Sequence, residues 1–228
     1  MASAVHGPRL VILGRQGAGK GTQAAKLVAH LGVRHLSTGA ILRQEVADGT
    51  PLGLHVQELM EAGDLVPDDI VLEVVAHRLG DPDVQRHGFL LDGFPRTQPQ
   101  AAALLDLLGA TGLDAALNLE VPAAIVRRRL HARRVCSHCD TPTVARNREH
   151  TVYCQECGGT AVRRPDDLPE AIERRLATYE EQVGPLLALF SEKRLLVEVD
   201  SVGHPDDVFE RVLRALRPVL WGTGEAVG

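Results

Sequence analysis

Short apolar runs recur along this chain at 9–13, 88–91, 115–121 and 195–199, separated by longer stretches whose apolar positions return at helical spacing. Runs this short, rich in leucine and β-branched residues, predict buried strands, and the intervening stretches predict amphipathic helices. The alternation is a βα repeat, which calls for a mostly parallel sheet with helices on both faces. A weaker run at 34–37 supplies a fifth strand. Helix signals are clear at 20–31 and after Pro67-Asp68-Asp69, where proline and two acids suit a first helical turn. Pro122 opens another helix reaching about residue 134, and Pro205-Asp206-Asp207 opens the last. A long helix is predicted over 168–190 with a disturbance at Gly184-Pro185, because proline removes a backbone donor. The tail, 221–228, has too little apolar content to pack and is expected to fray. One segment, 135 to about 164, breaks the rhythm: turn formers and polar residues dominate, as in a small module inserted between two helices.

A chain of 228 residues can bury one good core and carry small excursions from it, so one domain with insertions is expected. The net charge of −5 offers no global positive field for polyanions, which argues against a general nucleic-acid or membrane-surface binder. No apolar run approaches the roughly 18 residues that span a bilayer, and no signal-like h-region opens the chain; a soluble, cytoplasmic protein working as a monomer is expected. Its basic residues are mostly arginine, clustered at Arg127, Arg128, Arg129, Arg133, Arg134 and at Arg163, Arg164, Arg174, Arg175. Arginine's planar fork suits phosphate, while a solvated helix face remains the alternative for about half of them.

The stretch Gly14-Arg15-Gln16-Gly17-Ala18-Gly19-Lys20-Gly21-Thr22 lies between the first strand and the first helix. Glycines there let main-chain N–H groups close on phosphate oxygens, Lys20 adds positive charge, and Thr22 offers a hydroxyl to Mg²⁺ or phosphate. Two further groups, Ser37-Thr38-Gly39 and Asp92-Gly93-Phe94-Pro95-Arg96, fall at the carboxyl ends of predicted strands, where ligands of parallel sheets collect. All four cysteines lie in the inserted segment, as Cys136-x2-Cys139 and Cys154-x2-Cys157. That spacing predicts a tetrahedral thiolate site for a structural zinc, with disulfides disfavoured in a cytoplasmic protein. His138 and His150 are neighbouring alternative ligands, read here as surface residues.

Taken in order, the glycine loop, Ser37-Thr38-Gly39, the run Gly88-Phe89-Leu90-Leu91-Asp92-Gly93-Phe94-Pro95-Arg96-Thr97 and the cysteine-bearing insertion closely resemble adenylate kinases of the bacterial long-lid, zinc-binding type, over nearly the whole chain. The resemblance implies an α/β, P-loop NTPase-like fold: a parallel five-stranded sheet of order 2-3-1-4-5 flanked by helices. It implies a core of 1–36, 67–131 and 168–228, a helical flap for the nucleoside monophosphate at 37–66, and a zinc-stabilised lid at 132–167. The implied reaction is reversible transfer of the terminal phosphoryl group from Mg-ATP to AMP, giving two ADP. Position by position, Gly17, Ala18, Gly19, Lys20, Gly21 and Thr22 would hold the ATP phosphates, with Arg129, Arg133 and, loosely, Gly203 also meeting ATP. Thr38, Arg43, Asp64, Leu65, Val66, Gly93, Phe94, Pro95, Arg96 and Gln100 would bind AMP, Gln100 at the base. Asp92 would accept from Mg²⁺-bound waters, and Arg164 and Arg175 would clamp the moving phosphoryl group together with Lys20, Arg96 and Arg133.

Three departures stand out: Gln16 where the family carries proline, Ala40 where it carries aspartate, and Asp140-Thr141-Pro142-Thr143 where zinc-lid relatives carry an aromatic residue. The set of cations suits the chemistry, since two nucleotides bring together roughly six negative charges and the acceptor, already an anion, needs no general base. Asp166 and Asp167 are expected either to pair with core arginines on closure or to cap the helix that starts near Leu168. Rival readings are a kinase for UMP/CMP or one using GTP, a non-catalytic nucleotide-binding zinc module, and a nucleic-acid-binding zinc protein; the acidic balance and scarce aromatics speak against the last.

Overall fold

β1 (Arg9–Leu13) is buried along its whole length, as an unbroken apolar run must be when both faces of its sheet are covered. The computed structural model describes residues 7–62, 64–139, 142–145, 152–163 and 168–222. β1 lies between β3 (Phe89–Asp92) and β4 (Ala115–Glu120), with β2 (Arg34–Ser37) and β9 (Leu196–Asp200) outside them, all parallel, in the order β2-β3-β1-β4-β9. Counting only the strands of this sheet, that is the expected 2-3-1-4-5. Its register pairs Ile12 and Ser37 with Asp92 and Leu13 with Asn118, so the strand ends that carry the candidate chemistry open on one edge.

Helices α1 (Lys20–Leu31), α2 (Thr38–Ala47), α3 (Pro51–Ala62), α4 (Asp68–Leu79), α5 (Pro82–His87), α6 (Gln98–Leu108), α7 (Ala123–Ala132), α8 (Pro169–Glu192) and α9 (Pro205–Trp221) complete the main body. Alternation along β1 divides the core in two: Leu10 and Ile12 pack with Leu27, Leu130, Ile172 and Val212, while Val11 and Leu13 pack with Leu79, Phe94, Leu104 and Phe190. α8 feeds both cores, Ile172 and Leu176 entering the first and Leu186 and Phe190 the second. This corrects the expected disturbance at Gly184-Pro185. α8 runs unbroken through Pro185, because apolar anchors on both sides offset the roughly 3 kcal/mol that an interior proline costs.

Other boundaries move for local reasons. α7 stops at Ala132 because Arg133 turns extended and starts β5 (Arg133–Cys136), which joins β6 (Pro142–Val144), β7 (Val152–Tyr153) and β8 (Thr160–Val162) in an antiparallel sheet of order β6-β5-β8-β7. Trp221 still belongs to α9, while 223–228 lie outside the described residues. Ala40 leaves α2 without the usual acid, yet Ser37 caps it, its Oγ accepting from the Ala40 N–H at 3.3 Å. Among the described residues, no helix is long and apolar enough to cross a membrane.

Candidate active site

Where β1 ends, the chain turns through Gly14 at φ 134°, a conformation other residues resist; a side chain there would also strike the Leu119 carbonyl at 2.7 Å. The following loop reaches α1 through Gly19, whose position before the helix brings no capping side chain, leaving the first N–H groups of α1 open to an anion. The back of the loop is anchored instead. Arg129 donates to the Gly17 and Ala18 carbonyls at 3.4 and 3.3 Å and to the Ser201 carbonyl at 3.2 Å, and Ser201 Oγ donates to the Ala18 carbonyl at 2.9 Å. With carbonyls held behind, the amides face forward.

Lys20 Nζ donates to the Gly14 carbonyl at 2.7 Å and the Arg15 carbonyl at 3.1 Å. Part of its side chain touches the cleft, but the protein crowded around the ammonium lowers its pKa to about 8; Asp92 opposes the shift, and Arg96, Arg133 and Arg175 add to it. This group binds fewer protons folded than unfolded between pH about 8 and 10.5, so its contribution makes the unliganded protein more stable as pH rises through that window. Phosphate beside it raises the pKa again. Tripolyphosphate binding at pH 8.5, followed calorimetrically in buffers of different ionisation enthalpy and corrected for the ligand's own protons, is expected to take up about half a proton or more. Lys20→Met is expected to abolish the uptake; equal uptake in both proteins would contradict the assignment.

Across the cleft, Asp92 ends β3. Burial alone would raise its carboxyl pKa, but a hydrogen bond from His35 and the charges of Lys20 and Arg96 outweigh burial, and the net shift is downward: Asp92 stays ionised. Next to it a Cβ on Gly93 (φ 90°) would lie 2.8 Å from Thr38 Oγ1 and 3.5 Å from an Arg96 terminal nitrogen, so the missing side chain is what brings these groups together. Arg96 Nε donates to the Gly93 carbonyl at 2.7 Å, and the Arg43 guanidinium lies against Gly39 with its buried Nε lacking an acceptor among the described residues. Gln100 is 4% exposed; its Oε1 accepts from the Arg96 N–H at 2.7 Å and its Nε2 donates to Asp68, so the amide is locked in one orientation.

One cleft of about 930 Å³ joins these groups. Gly17, Ala18, Gly19, Lys20, Gly21, Thr22, Arg129, Arg133 and Gly203 line it, as do Thr38, Arg43, Asp64, Leu65, Val66, Asp92, Gly93, Pro95, Arg96, Gln100 and Arg175. Phe94 does not: its ring is fully buried in the core. Arg164, Asp166, Asp167 and His150 lie outside the described residues. Pro142, Thr143 and Val144 of β6 border the cleft in place of the missing aromatic residue. Beyond the cleft, the Sγ atoms of Cys136, Cys139, Cys154 and Cys157 lie within 4.8 Å of one another, with Cys136–Cys157 at 3.4 Å and Cys139–Cys154 at 3.5 Å. These distances are far too long for disulfides and near the roughly 3.8 Å edge of a tetrahedron with 2.3 Å metal–sulfur bonds. His138 contributes its main-chain N–H to Cys136 Sγ at 3.4 Å, not its ring to the cluster.

Sequence reasoning missed what ties the loop to α8. Arg15 makes a two-pronged ion pair with Glu180 at 2.7 and 3.0 Å, donates to the Val121 carbonyl at 3.1 Å and lies over the Tyr179 ring at 5.4 Å. Nearer its start, α8 meets α7 through Arg127–Glu173 at 2.8 Å and the α3–α4 connection through Arg174–Asp64 at 3.2 Å. The only hint lay in the spacing of arginine and glutamate along α8, which does not name their partners. A loop with Gln16 in place of proline gains from such a tether. Arg15→Ala is expected to raise the KM of the loop-bound nucleotide about fivefold, the worth of a partly exposed pair. Adding Gln16→Pro, whose ring presets φ, is expected to recover most of that loss. An Arg15→Ala enzyme with unchanged KM would contradict it.

Comparison with known proteins agrees with this geometry. The family profile described as adenylate kinase matches residues 12–195. Proteins named adenylate kinase from Salinispora tropica and Carboxydothermus hydrogenoformans are 44% and 42% identical, each alignment covering 92% of this chain and 98% and 99% of the relative. One from Gemmatimonas aurantiaca is 45% identical over 91% of this chain and 98% of its own. A match of that extent, on a chain whose sheet order and glycine loop had already led to the same place, makes it a member of the adenylate kinase family.

Proposed function

We propose that this chain catalyses the reversible transfer of the terminal phosphoryl group of Mg-ATP to AMP, giving two ADP. The observation that carries the reading is a single cleft in which one set of cations, Lys20, Arg96, Arg133 and Arg175, is reached from two sides: by the amide loop on one and by the Thr38–Gly93–Arg96 cluster on the other. An anionic acceptor needs no base, so alignment and fixed positive charge are the catalytic means.

In this reading the amides from Gly17 to Thr22 and the Lys20 ammonium hold the donor's phosphates, with Arg129 and Gly203 at the nucleoside end. Thr38, Arg43 and Arg96 hold the acceptor's phosphate, the unfilled Arg43 Nε being one waiting donor. Asp64, Leu65, Val66 and the main chain of 93–95 border its base. The locked Gln100 amide keeps one donor and one acceptor to spare, the pair an adenine edge requires. Arg133, Arg164 and Arg175 neutralise charge on the transferring group. Asp92, kept ionised, would hold waters of the Mg²⁺ ion, whose chemistry is to spread the charge of the polyphosphate. The segment 37–66 acts as the flap over the acceptor, 132–167 as the lid over the donor, and 1–36, 67–131 and 168–228 as the core. Cys136, Cys139, Cys154 and Cys157 would hold a structural zinc; a Cβ on Gly159 would come within 3.1 Å of Cys136 Sγ and 3.3 Å of Cys157 Sγ, so the cage is built against a residue with no side chain. Every group belongs to one chain, in keeping with action as a monomer. The test is ADP formation from ATP, Mg²⁺ and AMP, run beside UMP and CMP as acceptors and GTP as donor. Faster turnover with another pair would replace the substrate assignment.

A further inference from the structure

At the opposite end of β1 from the glycine loop, about 16 Å away by strand rise, Arg9 is 5% exposed. By alternation its side chain shares a face with Val11 and Leu13, and there it lines a separate pocket of about 180 Å³ with Leu79, Val84, Gln85, Phe89 and Leu107. Among the described residues the guanidinium has no hydrogen-bond acceptor or carboxylate partner. Asp114 meets Arg9 only through the main chain, its Oδ2 accepting from the Arg9 N–H at 2.7 Å. The nearby acids are committed elsewhere, Asp81 to Arg78 and Asp83 to Arg34 and His87. The carbonyls that end α4 have donors as well: those of Ala76 and His77 accept from the Gly80 N–H, that of Arg78 from the Asp81 N–H, and that of Leu79 from Gln85 Nε2 at 2.6 Å.

A largely buried cation without a partner among the described residues is costly, and the neighbouring acids already have cations of their own. We propose that this pocket is a binding site for a small carboxylate with a short aliphatic body, distinct from the nucleotide cleft. The guanidinium fork matches a carboxylate with two parallel N–H···O bonds, and one positive charge balances one negative charge. Phosphate, carrying nearly two, would leave charge uncompensated among Leu79, Val84, Phe89 and Leu107. Those side chains receive the aliphatic body.

The test measures binding of acetate, butyrate and hexanoate, with hexanamide and inorganic phosphate alongside, by calorimetry and by the Nε–H signal of Arg9 in NMR. Affinity is expected to climb about fourfold per added methylene until the pocket is full. Arg9→Met is expected to weaken hexanoate about tenfold or more by removing a charge-assisted pair. Ala76→Met fills the pocket while keeping Arg9, and is expected to block hexanoate yet leave phosphoryl transfer unchanged; it serves if Arg9→Met does not fold. Anions captured by the cleft would ignore both substitutions. Hexanoate binding that survives either variant, hexanamide binding as tight as hexanoate, or no carboxylate binding at all would overturn the proposal.

Discussion

Lys20→Ala is expected to lower kcat for phosphoryl transfer by about 10³-fold, the scale of removing a cation that meets the transferring phosphates. In the unliganded cleft the ammonium is parked on the Gly14 and Arg15 carbonyls, 2.7 and 3.1 Å away, and its proton is held loosely, at a pKa of about 8. Arriving phosphates offer full negative charge where those carbonyls offer only dipoles. Charge that builds on the equatorial oxygens of the moving group in the transition state strengthens this interaction beyond what the bound ground state offers, and that difference is what lowers the barrier. The same geometry separates loss of chemistry from loss of fold. Removing an ammonium whose charge is penalised by burial should leave the melting temperature of the unliganded protein unchanged or slightly higher. Steady-state rates beside thermal melting decide the matter: a fall in kcat below tenfold, or a collapse in both quantities together, would mean that Lys20 serves the loop's architecture instead.

The parts of this site that were legible in the sequence are those written in consecutive residues. Glycines at 14, 17 and 19 with Lys20 declare an amide cradle wherever a strand precedes and a helix follows. The cysteine pairs declare their cluster in the same way, because each x2 spacing already brings two sulfurs to one point. The sheet was readable because four of its strands are short and largely apolar, β2 with Leu36 alone buried being the weaker fifth, and its order came from likeness, not from periodicity. What stayed hidden depends on distant residues meeting. Arg15 and Glu180 are 165 positions apart, and nothing near either announces the other. Nor does local sequence reveal that Ser37 caps α2 in the absence of an acid, or that Phe94, inside a binding-loop motif, spends its ring on the core. Pro185 misled for the opposite reason: a strong local signal was overruled by Leu186 and Phe190 on one side and Ile172 and Leu176 on the other. α5, with six residues, gave too few turns for its periodicity to be read.

Taking the proposed zinc from the four thiolates is expected to unfold the β5–β8 module while leaving the main sheet intact. Among the described residues that module buries only Val135, Val152 and Ala161 as apolar residues beside Cys136 and Cys154, far too little to hold strands of two to four residues unaided. Its loss reaches the chemistry by a specific route. Arg133 is the first residue of β5 and is paired with Val144, so both the cation and the Pro142–Val144 wall of the cleft lose their places together. Chelation, or Cys139→Ser, is therefore expected to lower kcat about 10²-fold, while affinity for AMP alone, resting on the proposed contacts of Thr38, Gly93 and Arg96 at the ends of the main sheet, shifts less than about threefold. Metal analysis, circular dichroism and AMP titration on the same samples read the three consequences separately. Activity that persists after complete metal loss would detach the module from catalysis. Cobalt gives the converse test: four thiolates leave no open position for substrate or water, so a cobalt-loaded enzyme should work as fast as the zinc one, whereas a metal-dependent kcat at equal stability would require a coordination site that this cage does not have.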